Sequence, residues 1–189
     1  MFWKLLTEFP RLLKNSWGCY NLNLQEINIE TLDENIFTLM AKEWMLITVG
    51  NSRRFNPMTA SWGGIGHLWN KVVVFLFIRP NRFTYQLMEQ NDTCSVSFLD
   101  NKYRNILEFC GTKSGFNVDK IKSTGLKPFL KDHFIFYEEA YLMMGCKKIY
   151  YQDLKPENFL DANIETFYPK RDYHRMYICE VEVIFRYDS

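Results

Sequence analysis

Short apolar runs, broken by polar, glycine- or proline-bearing turns, recur along the chain and predict many strands and few, short helices. The run 72–78, VVVFLFI, is β-branched or aromatic except for Leu76 and reads as a strand buried on both faces. Further strands are predicted over 44–49, 134–137, 140–151 and 177–187, and over 93–99, where alternation puts one face in the core. Helices are predicted over 35–42, from a cap at Asn81 through Gln90, over 103–110 closing at Gly111, and over 118–123, with a polar turn over 50–56. Such a series suits a mainly β fold with short helices (α+β), a closed or partly closed barrel with helices at its edges, better than a doubly wound sheet.

Composition narrows the class. At 189 residues, with 47% hydrophobic, the chain has material for one substantial domain, expected over 26–189 behind an N-terminal extension, 1–25. In that extension Phe2, Leu5, Leu6, Phe9, Leu12 and Leu13 recur at helical spacing with Lys4, Arg11 and Lys14 between them. The pattern is amphipathic and suits packing on the domain or a partner subunit, with a membrane-surface role as the alternative. Glu8, Pro10 and Arg11 interrupt the apolar region a secretory signal needs, and no segment reaches the ~18 apolar residues of a membrane span. A net charge of +1 argues against nucleic-acid binding through bulk charge, so any anion site is local. The five cysteines are odd in number and show no CxxC pair, which favours reduced thiols in a cytoplasmic protein. With only three histidines and none at HxxxH spacing, no metal site is expected.

The stretch 56–84, NPMTASWGGIGHLWNKVVVFLFIRPNRFT, carries the densest candidate chemistry. Thr59, Ala60 and Ser61 offer small side chains and backbone hydrogen-bonding groups. Gly63, Gly64 and Gly66 read as a glycine-bearing turn that lets a ligand approach, with Trp62 and Trp69 as flanking apolar faces. Pro80 ends the strand, and Arg79, Arg82 and Thr84 then cluster at its C-terminal edge, where guanidinium groups bind phosphate oxygens bidentately. Together these features describe a site for a flat ligand carrying a phosphate. Taken singly, the glycines also suit a plain turn and the arginines a solvated rim.

A second candidate contact region is 110–120, CGTKSGFNVDK. Ser114 and Gly115 supply hydroxyl and backbone donors there, and Lys113 and Lys120 supply charge; a helix end followed by a solvated loop is its plainer reading. The run 153–158, DLKPEN, matches the catalytic-loop core of protein kinases, but no DFG, APE, GxGxxG or VAIK accompanies it. Pro156 there marks a turn between strands.

The motifs NPMTASWG at 56–63, WNK at 69–71, RPNRFT at 79–84, CGTKSG at 110–115 and DYHRMY at 172–177 occur in an order that resembles the flavin reductase-like FMN-binding split-barrel family, over roughly 27–185. The resemblance implies a homodimer of split β-barrels with FMN near the subunit interface. By matching position, the backbone of Thr59, Ala60, Ser61 and Trp62 meets the isoalloxazine edge, and Arg79, Arg82 and Thr84 hold the phosphate. Ser114, Gly115 and Lys120 contact ribityl or phosphate, Asn56 fixes the loop or the ring, and His174 lies near the nicotinamide of NAD(P)H. Two positions depart from the pattern: 114–117 reads SGFN where the family has SGRD, shifting the phosphate to Arg79 and Arg82, and Cys179 replaces a frequent glycine. The implied activity is hydride transfer from NAD(P)H to flavin. A flavoredoxin-like electron-transfer protein without significant NAD(P)H oxidation is the alternative.

Overall fold

The computed structural model describes residues 24–187. The extension expected over 1–25 therefore lies outside the described residues up to 23, and its last residues enter a short strand, β1 (Leu24–Glu26), paired antiparallel with the end of the chain. Asn35 caps the next element with its side chain, accepting from the Thr38 amide, and a helix α1 (Ile36–Thr38) runs into a π-helical turn, Leu39–Glu43. Trp44, at φ 70°, ends that turn.

The main strands follow as β2 (Met45–Asn51), β3 (Arg54–Ala60), β4 (Gly63–Leu68), β5 (Lys71–Ile78), β6 (Thr93–Leu99), β9 (Ala140–Asp153) and β10 (Arg175–Tyr187). Two more, β7 (Pro128–Lys131) and β8 (Phe134–Tyr137), make a separate hairpin. The helices are α2 (Phe83–Gln90), α3 (Arg104–Thr112) and α4 (Lys120–Thr124). Hydrogen bonding orders the sheet β3-β2-β6-β9-β10-β5-β4, antiparallel throughout. Its two outermost strands, β3 and β4, are consecutive in the chain and joined only by Ser61 and Trp62, yet no ladder connects them. The sheet is thus a barrel left split along that seam.

Two tight hairpins set the register beside the seam. Trp69 and Asn70, at φ 54° and 56°, form the two-residue turn between β4 and β5, the double left-handed geometry that matches strand twist. Between β2 and β3, Asn51 Oδ1 accepts from the Arg53 and Arg54 amides, at 3.0 and 3.2 Å. The turn expected over 50–56 is consequently shorter, because these local bonds let Arg54, Phe55 and Asn56 join β3. The glycine run is likewise strand, not turn: Gly63, Gly64 and Gly66 pair with β5, and a Cβ at Gly63 would meet Phe75 O and Met45 Cε across the barrel.

Residues of β2, β3, β5, β6, β9 and β10 converge inside, among them Ile47, Met58, Leu76, Val96, Met144 and Tyr177, and α2 plugs the end with Leu87 and Met88. A second apolar layer lies outside, where Leu107 of α3, Leu126, and Phe129, Phe134 and Phe136 of the β7–β8 hairpin cover Leu46, Leu99, Met143 and Phe185. Each such side chain contributes ~1.5–3 kcal/mol on burial. Because of this outer layer β6 is buried on both faces, correcting the one-sided expectation; Ser95 on its outer side donates to Ile135 O. Gly111 lies inside α3 rather than closing it, since Lys113 is the cap. No helix among the described residues is long and apolar enough to cross a membrane.

Candidate functional site

A cavity of about 380 Å³ opens at the seam, within the ~300–1,000 Å³ range of small-molecule sites. Its walls are Met58, Thr59 and Ala60 at the end of β3, Ser61 and Trp62 in the connection, Phe77 and Arg79 at the end of β5, Asn81 and Arg82 beyond it, and Asp172 and His174 before β10. The split makes this possible: β3 is an edge strand here, and Ser61 and Trp62 lie outside both ladders, so backbone polar groups border the cavity.

The two arginines are held differently. Arg79 Nη1 donates to Asp172 Oδ1 at 2.9 Å, Nη2 donates to Phe167 O at 2.9 Å, and its Cζ sits 5.1 Å from the Tyr168 ring centroid. Arg82 donates from Nη2 to Gly111 O and from Nε to Met58 Sδ at 3.5 Å. Burial, and then the charge of Arg79, lower the Arg82 pKa, yet a guanidinium remains a cation throughout the physiological range. Five N–H donors per guanidinium leave each with capacity for an anion after these contacts.

Asn81 does not cap α2. Its amide donates to Asp172 Oδ2 at 2.7 Å, and Arg82 takes the N-cap position without a side-chain capping bond. Thr84 is fully buried, and its hydroxyl accepts from Asn56 Nδ2 at 2.8 Å; Asn56 also donates to Pro57 O. Gly115 packs directly on Asn56, where a Cβ would collide with Oδ1. Ser114 Oγ accepts from the Phe116 amide at 3.3 Å. Lys120 turns inward, 4% exposed, and donates to Pro57 O and Cys110 O at 2.8 Å each. Burial pulls its ammonium down to about 8, with Cys110 opposing and Arg82 reinforcing the shift. Asn56, Thr84, Gly115 and Lys120 thus stand behind the cavity wall and Ser114 lies in the adjoining loop, not in the lining, while Thr59, Ala60, Ser61, Trp62, Arg79, Arg82 and His174 line it.

Two wall residues and one backing residue converge on carbonyls of α3 between Leu107 and Gly111. Thr59 Oγ1 donates to Leu107 O at 2.6 Å, Lys120 to Cys110 O and Arg82 to Gly111 O. Helix-end carbonyls lack intrahelical partners and carry partial negative charge, so two cations suit this position.

His174 is 8% exposed, and its Nδ1 lies 2.9 Å from the Tyr168 hydroxyl. Burial first, then the nearby Arg79, lower its pKa to about 4 despite Asp172, so the imidazole is neutral at pH 7. Its ring centroid is 5.1 Å from that of Trp62, which meets Phe167 edge-on at 5.6 Å. Trp69 lies elsewhere, against Tyr150.

A model of the flavin reductase like domain matches residues 37–184. The chain belongs to this family. No curated protein matches it. Among solved structures, this flavin reductase-like chain is similar to an FMN-binding domain of a flavin reductases-like enzyme from Shewanella baltica OS155, at 15% identity over 87% of this chain and 78% of that one, with a TM-score of 0.64. It is also similar to flavoredoxin from Methanosarcina acetivorans (17% identity, 77% and 69% covered, TM-score 0.60). A third is the NADH:FAD oxidoreductase SgcE6 of Streptomyces globisporus C-1027, solved with NAD and FAD fragments (16%, 77% and 74%, TM-score 0.58). At these identities the likeness establishes the fold, a split barrel.

In this family member, sequence reasoning missed Met58, Phe77, Asn81 and Asp172 as wall residues, and Phe167 and Tyr168 as supports of Arg79, Trp62 and His174. Asp172 lies in a motif the sequence did present. Phe167 and Tyr168 belong to the long connection between β9 and β10, and only the pairing of those strands returns them to the seam. The kinase-like run dissolves: Asp153 ends β9 and pairs with Arg175, while Pro156–Asn158 is one 3-10 turn.

Proposed function

We propose that the chain is an FMN-binding oxidoreductase that passes hydride from NAD(P)H to flavin, working as a homodimer in the cytoplasm. The observation that carries this reading is that two guanidinium groups and the backbone around Thr59–Trp62 border one cavity at the barrel's open seam. The donor set fits the cofactor: cations for a phosphate at one end, small side chains and main-chain groups for a flat polar ring at the other. Four buried free thiols, Cys94, Cys110, Cys146 and Cys179, accord with a reducing compartment.

In this reading Arg79 and Arg82 bind the phosphate, and the backbone of Thr59, Ala60, Ser61 and Trp62 orients the ring edge. Asn56, Thr84, Gly115 and Lys120 hold those walls from behind, with Ser114 shaping the loop that carries Gly115. When bound, the flavin supplies the hydride-accepting atom, so no side chain has to move a proton for that step. Neutral His174, oriented by Tyr168, and Trp62 form the face on which a nicotinamide ring can rest without a repelling imidazolium.

Steady-state oxidation of NADH and NADPH with added FMN tests the activity. A rate above the free-flavin background, lost on Arg79→Ala with Arg82→Ala, is expected. FMN uptake without such a rate would favour the electron-carrier reading that the flavoredoxin likeness supports.

A further inference from the structure

The phosphate clamp already holds an anion. Asp172 bridges two of its donors, with Oδ1 accepting from Arg79 Nη1 at 2.9 Å and Oδ2 accepting from Asn81 Nδ2 at 2.7 Å. The chain is bent to bring it there. A turn closes from the Arg171 amide to Tyr168 O at 2.9 Å, and Arg171 takes φ 53°, a left-handed conformation that a non-glycine residue adopts at a cost. Burial alone would raise the Asp172 pKa, but the hydrogen bonds from Arg79 and its own backbone outweigh it and hold the carboxyl below its usual range, as an anion.

Two roles are open to such a carboxylate. A brace would sit behind the guanidinium and aim it at the ligand. Asp172, however, is itself one of the residues lining the cavity, beside the two donors it occupies. Arg79 is moreover already oriented by Phe167 O and the Tyr168 ring. Charge points the same way: two arginines and one aspartate sum to +1, whereas a phosphate monoester carries roughly −1.5 to −2 at pH 7. Without Asp172 the clamp would match the dianion.

We propose that Asp172 is a resident counter-anion that competes with the incoming flavin phosphate for Arg79 and Asn81, making the flavin an exchanging substrate rather than a tightly held group. The proposal rests on the flavin reading above.

Fluorescence titration of the full chain with FMN and with riboflavin, which lacks the phosphate, tests it. Asp172→Asn is expected to tighten FMN about tenfold, since a whole charge a few ångströms from the phosphate is removed, and to leave riboflavin unchanged. Asp172→Ser is expected to move the same way and serves if the first variant folds poorly. Weaker or unchanged FMN binding in these variants would make Asp172 a brace and overturn the proposal. Titration with inorganic phosphate separates the two readings. If the wild type takes neither flavin but Asp172→Asn binds phosphate more tightly than wild type, the flavin reading fails and the counter-anion stands. If phosphate binding is also unimproved, the counter-anion falls.

Discussion

The strand-end segment carrying Arg79 and Arg82 and the loop leading to Lys120 look alike in sequence, each a cation beside small polar residues. In the folded chain they differ sharply. The arginines border the cavity, held from one side by a carboxylate, by main-chain oxygens and by sulfur. Lys120 points the other way and is buried between Pro57 O and Cys110 O. What decides a cation's role is where the nearest unpartnered acceptors lie. An exposed helix end would have left Lys120 in solvent, but α3 stops against β3, and its last carbonyls draw the ammonium inward.

The contrast can be broken experimentally. The largest effect is expected from Arg79→Ala combined with Arg82→Ala: FMN affinity should fall by roughly 3–6 kcal/mol, because charged hydrogen bonds contribute ~1.5–3 each. Isothermal titration measures it, and unchanged affinity would place the phosphate elsewhere. Lys120→Met should act on stability instead. It strips Cys110 O of its donor and leaves Pro57 O with Asn56 Nδ2, at roughly 2–4 kcal/mol in chemical denaturation. A Lys120→Met protein of wild-type stability but poor FMN binding would reverse the roles assigned to the two cations.

His174 sharpens the comparison through pH. Its pKa falls from 6.5 to about 4 on folding. Between those values the unfolded chain takes up a proton the folded chain refuses, so this contribution to stability is present above pH 6.5 and lost as pH drops toward 4. The full effect is roughly 3 kcal/mol. His174→Gln should flatten the melting-temperature profile in that window, and a slope as steep as wild type would mean that other groups titrate there. The smallest change is expected from Gly115→Ala, at about 1–3 kcal/mol of stability, because the new methyl must displace Asn56. Hydrogen exchange should show the loss around β3 and α2, which Asn56 joins to each other through Thr84.

Strands were legible where local pattern and tertiary context agree. The spans 93–99 and 134–137 match β6 and β8 residue for residue. The run 72–78 gains only Lys71, though β5 turns out partly exposed. Context overrode pattern at the glycines of β4, which look like a turn but are tolerated in a strand that closes against Met45 and Phe75. Arg79 and Arg82 were readable as a pair because both follow one proline-ended strand. Asp172 was not readable as their partner, since 93 residues separate it from Arg79 and only the pairing of β10 with β5 brings them together. Lys120 was visible as a charge but not as a buried one, because nothing local announces where a helix's last carbonyls will point.

The central claim is that the seam holds a flavin by its phosphate and its ring edge together. Addition of FMN to the purified full chain, followed by visible absorbance and repeated with Arg79→Ala plus Arg82→Ala, tests it most directly. Saturable perturbation of the flavin bands by the wild type, lost in the double variant, is the expected result. A wild-type protein that leaves the spectrum of free FMN unchanged at saturating concentration would contradict it.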